Sequence, residues 1–310
     1  MKRLIVLGIV VFLCLPLFVY AASIGGVETQ GQGKFSISFD QGFVFDRDMK
    51  ENIQEGEIYS HSDTFIIDST VINTSGTVSD QRLKSELDRM SRSMIRLNYG
   101  VTDNLDVFVR LGEANFKWKA KGKASDNGTF TDSSGNSGTY EGVLESRGTF
   151  KGKSAFVWGV GMKGVYPLEN DWFLGMQVQY LRHKNTLKCK WAQKERVTYE
   201  VTSGPDTGET GTYETSEWED SWKAKATVQE WQISPYIAKK LGNFIPYFGV
   251  KYSDCRIKYK DEEEKLKFKA DDNFGVFLGT DYRINDAWSV NFEVRFIDET
   301  AISFGGTYRF

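Results

Sequence analysis

Apolar and polar residues alternate along most of this chain, and the alternation falls into ten separate stretches. Phe35, Ile37, Phe39, Phe43 and Phe45 share one side of the first. The second and third carry Ile95, Leu97, Tyr99 and Val101, then Leu105, Val107, Val109 and Leu111. The fourth and fifth carry Phe156, Trp158, Val160 and Met162, then Leu174, Met176, Val178 and Tyr180. Trp231, Ile233 and Ile237 mark the sixth, and Phe248, Val250 and Tyr252 the seventh. Phe274, Val276, Leu278 and Tyr282 mark the eighth, and Trp288 through Phe296 the ninth. The tenth ends the sequence with Ile302, Phe304, Tyr308 and Phe310. A period of two means strands with one apolar face. Helical periodicity is weak, and past the N-terminus no segment approaches a continuous apolar run long enough for a membrane helix.

The connections alternate too. After even-numbered stretches they are tight and polar: "TDN", "PLEND", "LGN" and "NDA". After odd-numbered stretches they are long, filling 46–90, 119–150, 185–220 and 259–268, with only "DET" at 298–300 short. Short turns on one rim and long loops on the other are the plan of a membrane barrel. The opposite face of the strands is polar and charged. It carries Arg96, Asp106, Arg110, Lys163, Glu230, Lys251, Asp281, Arg283, Glu293, Arg295 and Arg309. A secreted β-sandwich also alternates. Three features decide against it: tryptophans near strand ends, the one-sided short turns, and a last strand without a polar tail. The expected fold is all-β, a transmembrane antiparallel up-and-down β-barrel of ten strands with long extracellular hairpin loops. Eight and twelve strands are the alternatives.

Here the chain resembles Gram-negative outer-membrane β-barrel proteins, whose terminal strand carries an assembly signal. Phe310, Tyr308, Phe304 and Ile302 match that signal, and Gly306 departs from it at one apolar position. The resemblance implies the bacterial outer membrane as location, and as partners outer-membrane lipid and the barrel assembly machinery. The long loops offer a surface for an extracellular ligand.

The N-terminus fits export. "MKR" is basic, an apolar run follows, and "VYAA" supplies small residues. Residues 1–21 read as a secretory signal peptide and 22–310 as the barrel domain. Its removal takes the net charge from −3 to about −5, so nucleic acid is excluded as a partner. A mean hydropathy of −0.41 argues against a helical bundle in the membrane but not against a barrel. Cys189 and Cys255 lie at different distances from their turns, and no disulfide between them is expected.

Candidate chemistry is sparse. His61 lies in the first long connection and His183 at the top of the fifth strand, read as a rim residue. Omptin proteases combine paired aspartates with an Asp-x-His. Asp46 and Asp48 form a spaced pair, but Leu181 stands two before His183, so the motif is missing. No catalytic residue, metal site or cofactor is assigned. The third connection begins basic (Arg182, Lys184, Lys188, Lys190) and returns acidic (Glu214, Glu217, Glu219, Asp220), so its arms are expected to pair across a hairpin. The second, rich in Gly, Ser and Asn, reads as mobile. The inward charges are expected to pair across a narrow lumen with a positive surplus. The leading function is therefore a structural or surface-interaction barrel with a largely closed lumen. A narrow porin-like channel for ions or small solutes is the second reading, and an omptin-like enzyme the third.

Overall fold

The computed structural model describes residues 23–51, 59–67, 70–214, 218–261 and 265–310. The proposed signal segment 1–21 lies outside them, as does Glu217 of the acidic arm. The described strands are β1 (Phe35–Asp46), β2 (Asp48–Glu51), β3 (Tyr59–Ile67), β4 (Thr70–Thr102) and β5 (Leu105–Asp132). They continue with β6 (Ser137–Gly152), β7 (Ala155–Pro167), β8 (Trp172–Ser203), β9 (Thr210–Glu214) and β10 (Trp218–Lys239). The last are β11 (Phe244–Lys260), β12 (Lys265–Ala270), β13 (Phe274–Arg283), β14 (Trp288–Phe296) and β15 (Thr300–Arg309).

All pairings are antiparallel, and they close a ring. It passes through β1, β4, β5, β7, β8, β10, β11, β13, β14 and β15, then returns to β1. Closure sets Ile37 beside Tyr308 and Phe43 beside Ile302, and the Phe310 amide donates to Phe35 O at 3.1 Å. The terminal strand is thus one wall of the seam, with no unpaired edge. Outside the ring, the alternating apolar residues are exposed, as lipid contact requires. Aromatic pairs mark both borders of this band. Phe35–Tyr99, Phe244–Tyr282 and Trp288–Tyr308 lie near the short turns, with centroids 4.8, 4.9 and 4.9 Å apart. Trp158–Tyr180 and Tyr252–Phe274 mark the other border, at 5.7 and 5.2 Å.

The long connections are not loops. β4 runs on for 33 residues, β5 for 28 and β8 for 32, far past the lipid band. The stretch read as mobile is the β5–β6 hairpin, paired from Lys117–Lys151 to Thr131–Ser137. Above the band β1, β7, β13, β14 and β15 drop out, and β2, β6 and β12 take their places. The pairs β4–β5, β5–β6, β6–β8, β8–β10, β10–β11, β11–β12, β12–β2 and β2–β4 close a second ring.

At the border the alternation changes phase. On β5, Val107, Val109 and Leu111 face out, whereas Ala114, Phe116, Trp118 and Ala120 face in. On β11, Phe248, Val250 and Tyr252 face out, and Cys255, Ile257 and Tyr259 face in. The solvent is hydrocarbon below the border and water above it, so the apolar face turns from outside to inside. The inward residues form a dry core around Trp118, whose ring lies 4.6 Å from Phe150 and 4.1 Å from Phe268. Each large side chain buried there contributes about 1.5–3 kcal/mol.

The expected pairing of basic and acidic arms does not occur as drawn. Register sets Lys188 beside Lys223 and Lys190 beside Ser221, while Glu219 and Asp220 meet Ala192 and Trp191. Among the described residues of the acidic arm, only Glu214 meets the expected charge type, through Lys194 at 2.7 Å and Arg196. Both of those lie nearer the hairpin tip than the lysines named. Glu230 pairs with Leu181 on one side and Cys255 on the other, so Cys255 lies level with Leu181 rather than Cys189. Both cysteines are free and buried.

Candidate functional site

The interior of the membrane ring is occupied by the chain's own N-terminal segment. Residues 23–30 run inside the strands, and Ile24 and Val27 are fully buried. These two pack against Phe173, Tyr236, Ala238, Ile245, Tyr247 and Phe277, inward residues near the short-turn rim. The sequence makes this possible through Gly25 and Gly26, both with positive φ (57° and 86°). A Cβ on Gly25 would run into the guanidinium of Arg96, so a side chain there would have to displace that buried group from Ile24 O as well as adopt left-handed backbone.

The polar groups of the segment are met from the walls. Arg96 donates to Ile24 O at 2.7 Å, Arg110 to Ser23 O at 2.6 Å and Lys163 to Gly26 O at 3.2 Å. Tyr236 Oη donates to Val27 O at 2.7 Å. In return, Ile24 N–H donates to Glu293 at 3.2 Å, Val27 N–H to Asp281 at 2.7 Å and Gln30 N–H to Asp106 at 3.0 Å. Glu28 accepts from Arg283 at 2.6 Å and lies 3.0 Å from Lys240 and 4.0 Å from Arg309. Buried peptide groups need such partners, because an unpaired one is costly.

A layer of ion pairs lies above. Arg47 reaches Glu230 at 3.4 Å, Glu299 at 3.5 Å and Asp298 at 3.6 Å. Arg92 lies 2.5 Å from Glu230, Lys251 lies 2.9 Å from Asp298 and also contacts Glu299, and Arg295 lies 3.5 Å from Glu299 and 3.6 Å from Glu293. Asp40 on β1 lies 3.5 Å from Arg110 and 3.8 Å from Arg96. The two arginines also flank the buried Phe108 ring, each 5.4 Å from its centroid. Asp298 and Glu299 come from the short "DET" turn, folded inward behind Ile297. Ile297 has a φ of 83°, which is strained for a β-branched residue.

The eleven inward charges read from parity therefore divide into two groups. Arg96, Asp106, Arg110, Lys163, Asp281, Arg283 and Arg309 hold the N-terminal segment or flank it. Glu230, Lys251 and Arg295 belong to the upper layer, and Glu293 joins the two. Glu28, Asp40, Arg47, Arg92, Asp298 and Glu299 were missed. Asp40 and Arg92 have inward parity and were legible; the others sit outside alternating stretches. The additional acids largely remove the expected positive surplus. The walls do not simply pair with each other, because the segment and the turn stand between them.

His183 is not a rim residue. The strand continues beyond it, so the ring is buried in the lumen against Phe116, with Nδ1 2.5 Å from Asn185 Oδ1. His61 lies on β3 in register with Gly76. Among the described residues, no three His, Cys, Asp or Glu side chains are placed to hold a metal ion. From the short-turn rim outward, the lumen thus holds a peptide plug, an ion-pair layer and an apolar core.

Several solved structures share the barrel outline. The outer-membrane protease OmpT of Escherichia coli is 9% identical, with 89% of this chain and 97% of that one covered and a TM-score of 0.36. The translocator domain of the autotransporter NalP from Neisseria meningitidis is 10% identical, with 92% and 91% covered and a TM-score of 0.30. The outer-membrane protein OprG of Pseudomonas aeruginosa is 9% identical, with 91% and 99% covered and a TM-score of 0.26. Likeness this remote carries no argument about function. No curated protein matches the chain. Residues 34–263, most of the barrel from β1 to beyond β11, match the family described as Chlamydia major outer membrane protein. The chain belongs to that family of bacterial outer-membrane proteins.

Proposed function

We propose that this protein is a closed outer-membrane barrel with a structural and surface-interaction role, neither a solute channel nor an enzyme. The observation that carries the reading is the apolar core around Trp118, which fills the upper ring where a channel would need water. The plug and the ion pairs below it act in the same direction. Apolar side chains packed as closely as protein interiors are would leave no path for a hydrated solute. The surface role is supported by a cavity of about 310 Å³ near the β5–β6 and β8–β9 tips. Its lining is mainly apolar and aromatic, with Phe130, Val197, Tyr199 and Tyr213, and carries the carboxylates Asp132 and Glu209, a mixture suited to an extracellular ligand with an apolar body and a cationic group. Liposome swelling tests the closed lumen. Vesicles carrying the refolded protein should swell in isosmotic arabinose no faster than empty vesicles, and swelling at porin-like rates would reject the proposal.

A further inference from the structure

The outer surface of the upper ring is lined by lysines that face one another. Across β5, β6, β8 and β10, Lys117 is in register with Lys151, Lys151 with Lys188 and Lys188 with Lys223. Across β10, β11 and β12, Lys225 is in register with Lys260 and Lys260 with Lys265, while Lys258 meets Lys267. Like charges directly opposite on one face repel and weaken a sheet. Of these lysines, Lys117 has a carboxylate partner, Asp88 at 2.6 Å. Lys188, Lys223, Lys225, Lys258 and Lys260 form no ion pair among the described residues. Among the described residues, a groove of about 650 Å³ on this face is lined by seven lysines and one carboxylate, Asp261.

The position of the belt says what it meets. Trp231 is in register with both Tyr180 and Asp254, which fixes the border of the lipid band on three adjacent strands. Lys184 follows Tyr180 by four residues, about 13 Å along the strand and less in height once tilt is counted. The first lysines therefore stand at the depth of the outer-leaflet headgroups, and the higher ones reach the layer above. A wholly solvated face would gain nothing from stacking uncompensated cations in register. An anionic layer at that depth removes the repulsion and converts it into attraction.

We propose that the lysine belt over β5, β6, β8, β10, β11 and β12 binds a phosphorylated lipid of the outer leaflet, its acyl chains lying on the aromatic band and its phosphates among the lysines. The inference does not depend on the lumen being closed. The test uses the refolded full barrel in neutral detergent and a variant carrying Lys184→Gln, Lys225→Gln and Lys258→Gln. Diphosphoryl lipid A, its monophosphoryl form, phosphatidylcholine and free inorganic phosphate are added, and native mass spectrometry and thermal unfolding are read. The parent should hold diphosphoryl lipid A at least tenfold more tightly than phosphatidylcholine, with the monophosphoryl form between. It should show no comparable shift with free phosphate. The variant should lose most of that preference. Without lipid it should melt no lower than the parent, since it has lost repulsion, which also shows that it has folded. Equal lipid preference in parent and variant would overturn the proposal. So would a parent that does not distinguish diphosphoryl lipid A from phosphatidylcholine, or one that responds equally to free phosphate.

Discussion

Gly25→Val tests the seated N-terminal segment at a single position. The backbone there has a φ of 57°, and an added Cβ would collide with the Arg96 guanidinium. A side-chain-bearing residue in left-handed backbone costs about 1–2 kcal/mol. Driving Arg96 off Ile24 O breaks a charge-assisted hydrogen bond of 2.7 Å, about 1.5–3 kcal/mol more. The two together put about 2.5–5 kcal/mol against seating, or roughly two to four powers of ten in the balance between seated and released segment. Gly33→Val is the matched control. Gly33 also has positive φ, 76°, but a Cβ there meets nothing within 4 Å, so that variant carries strain without collision. The readout is labelling of Val27→Cys by a maleimide that does not cross membranes, with thermal unfolding in parallel. Val27 is fully buried, so the thiol should be protected in the otherwise unchanged chain and with Gly33→Val, and labelled with Gly25→Val. Equal protection in all three, with equal melting temperatures, would refute the seated plug.

The strand facing gives a second expectation. Val294 faces lipid between Leu278 and Ile302, so Val294→Arg should destabilise by about 2–4 kcal/mol. Arg295→Val should cost less, because Glu299 keeps Lys251 and Arg47 and Glu293 keeps the Ile24 amide; denaturant titration in detergent compares them, and the reverse order would contradict the register. Phe310→Asp should lower the amount of heat-modifiable barrel in cells, since the Phe310 ring meets Tyr308 edge-on at the seam and Asp removes that contact; normal levels would contradict an assembly role. Burial pushes the Cys189 thiol up to about 11. Iodoacetamide at pH 8 should therefore leave it unmodified in the folded barrel and alkylate both cysteines after heating in detergent. A mass showing the two thiols oxidised in the monomer would contradict the register.

The membrane half of this fold is legible because lipid imposes one rule on every strand. Val290, Phe292 and Val294 must face out, and Asn291, Glu293 and Arg295 must then face in. The upper half is illegible to the same rule because the rule inverts. Past Leu111 and Tyr252 the apolar positions shift to the other parity, and a search for one unbroken alternation stops at the shift. Ala120, Phe150, Tyr259 and Phe268 then read as loop residues although they are core. The lumen charges were legible as a set but not as partners. What they hold is Ser23–Gln30, a segment rich in glycine and polar residues with no period of either kind. The surplus of inward cations over inward acids was its trace: Arg96, Arg110 and Lys163 lie 3.5–3.9 Å from wall carboxylates and also donate to the segment. Asp298 and Glu299 were hidden by a different cause, a turn that folds inward behind Ile297 at positive φ.

The closed lumen is the central claim, and planar-bilayer conductance tests it most directly. The intact refolded protein, inserted in known orientation and number, should show no steady open level, only brief and irregular leak. On the proposed reading, the plug, the ion pairs around Arg47 and Lys251, and the apolar core around Trp118 would each block the path. Large, stable, regularly spaced current steps from the unmutated protein would contradict the account and establish a channel.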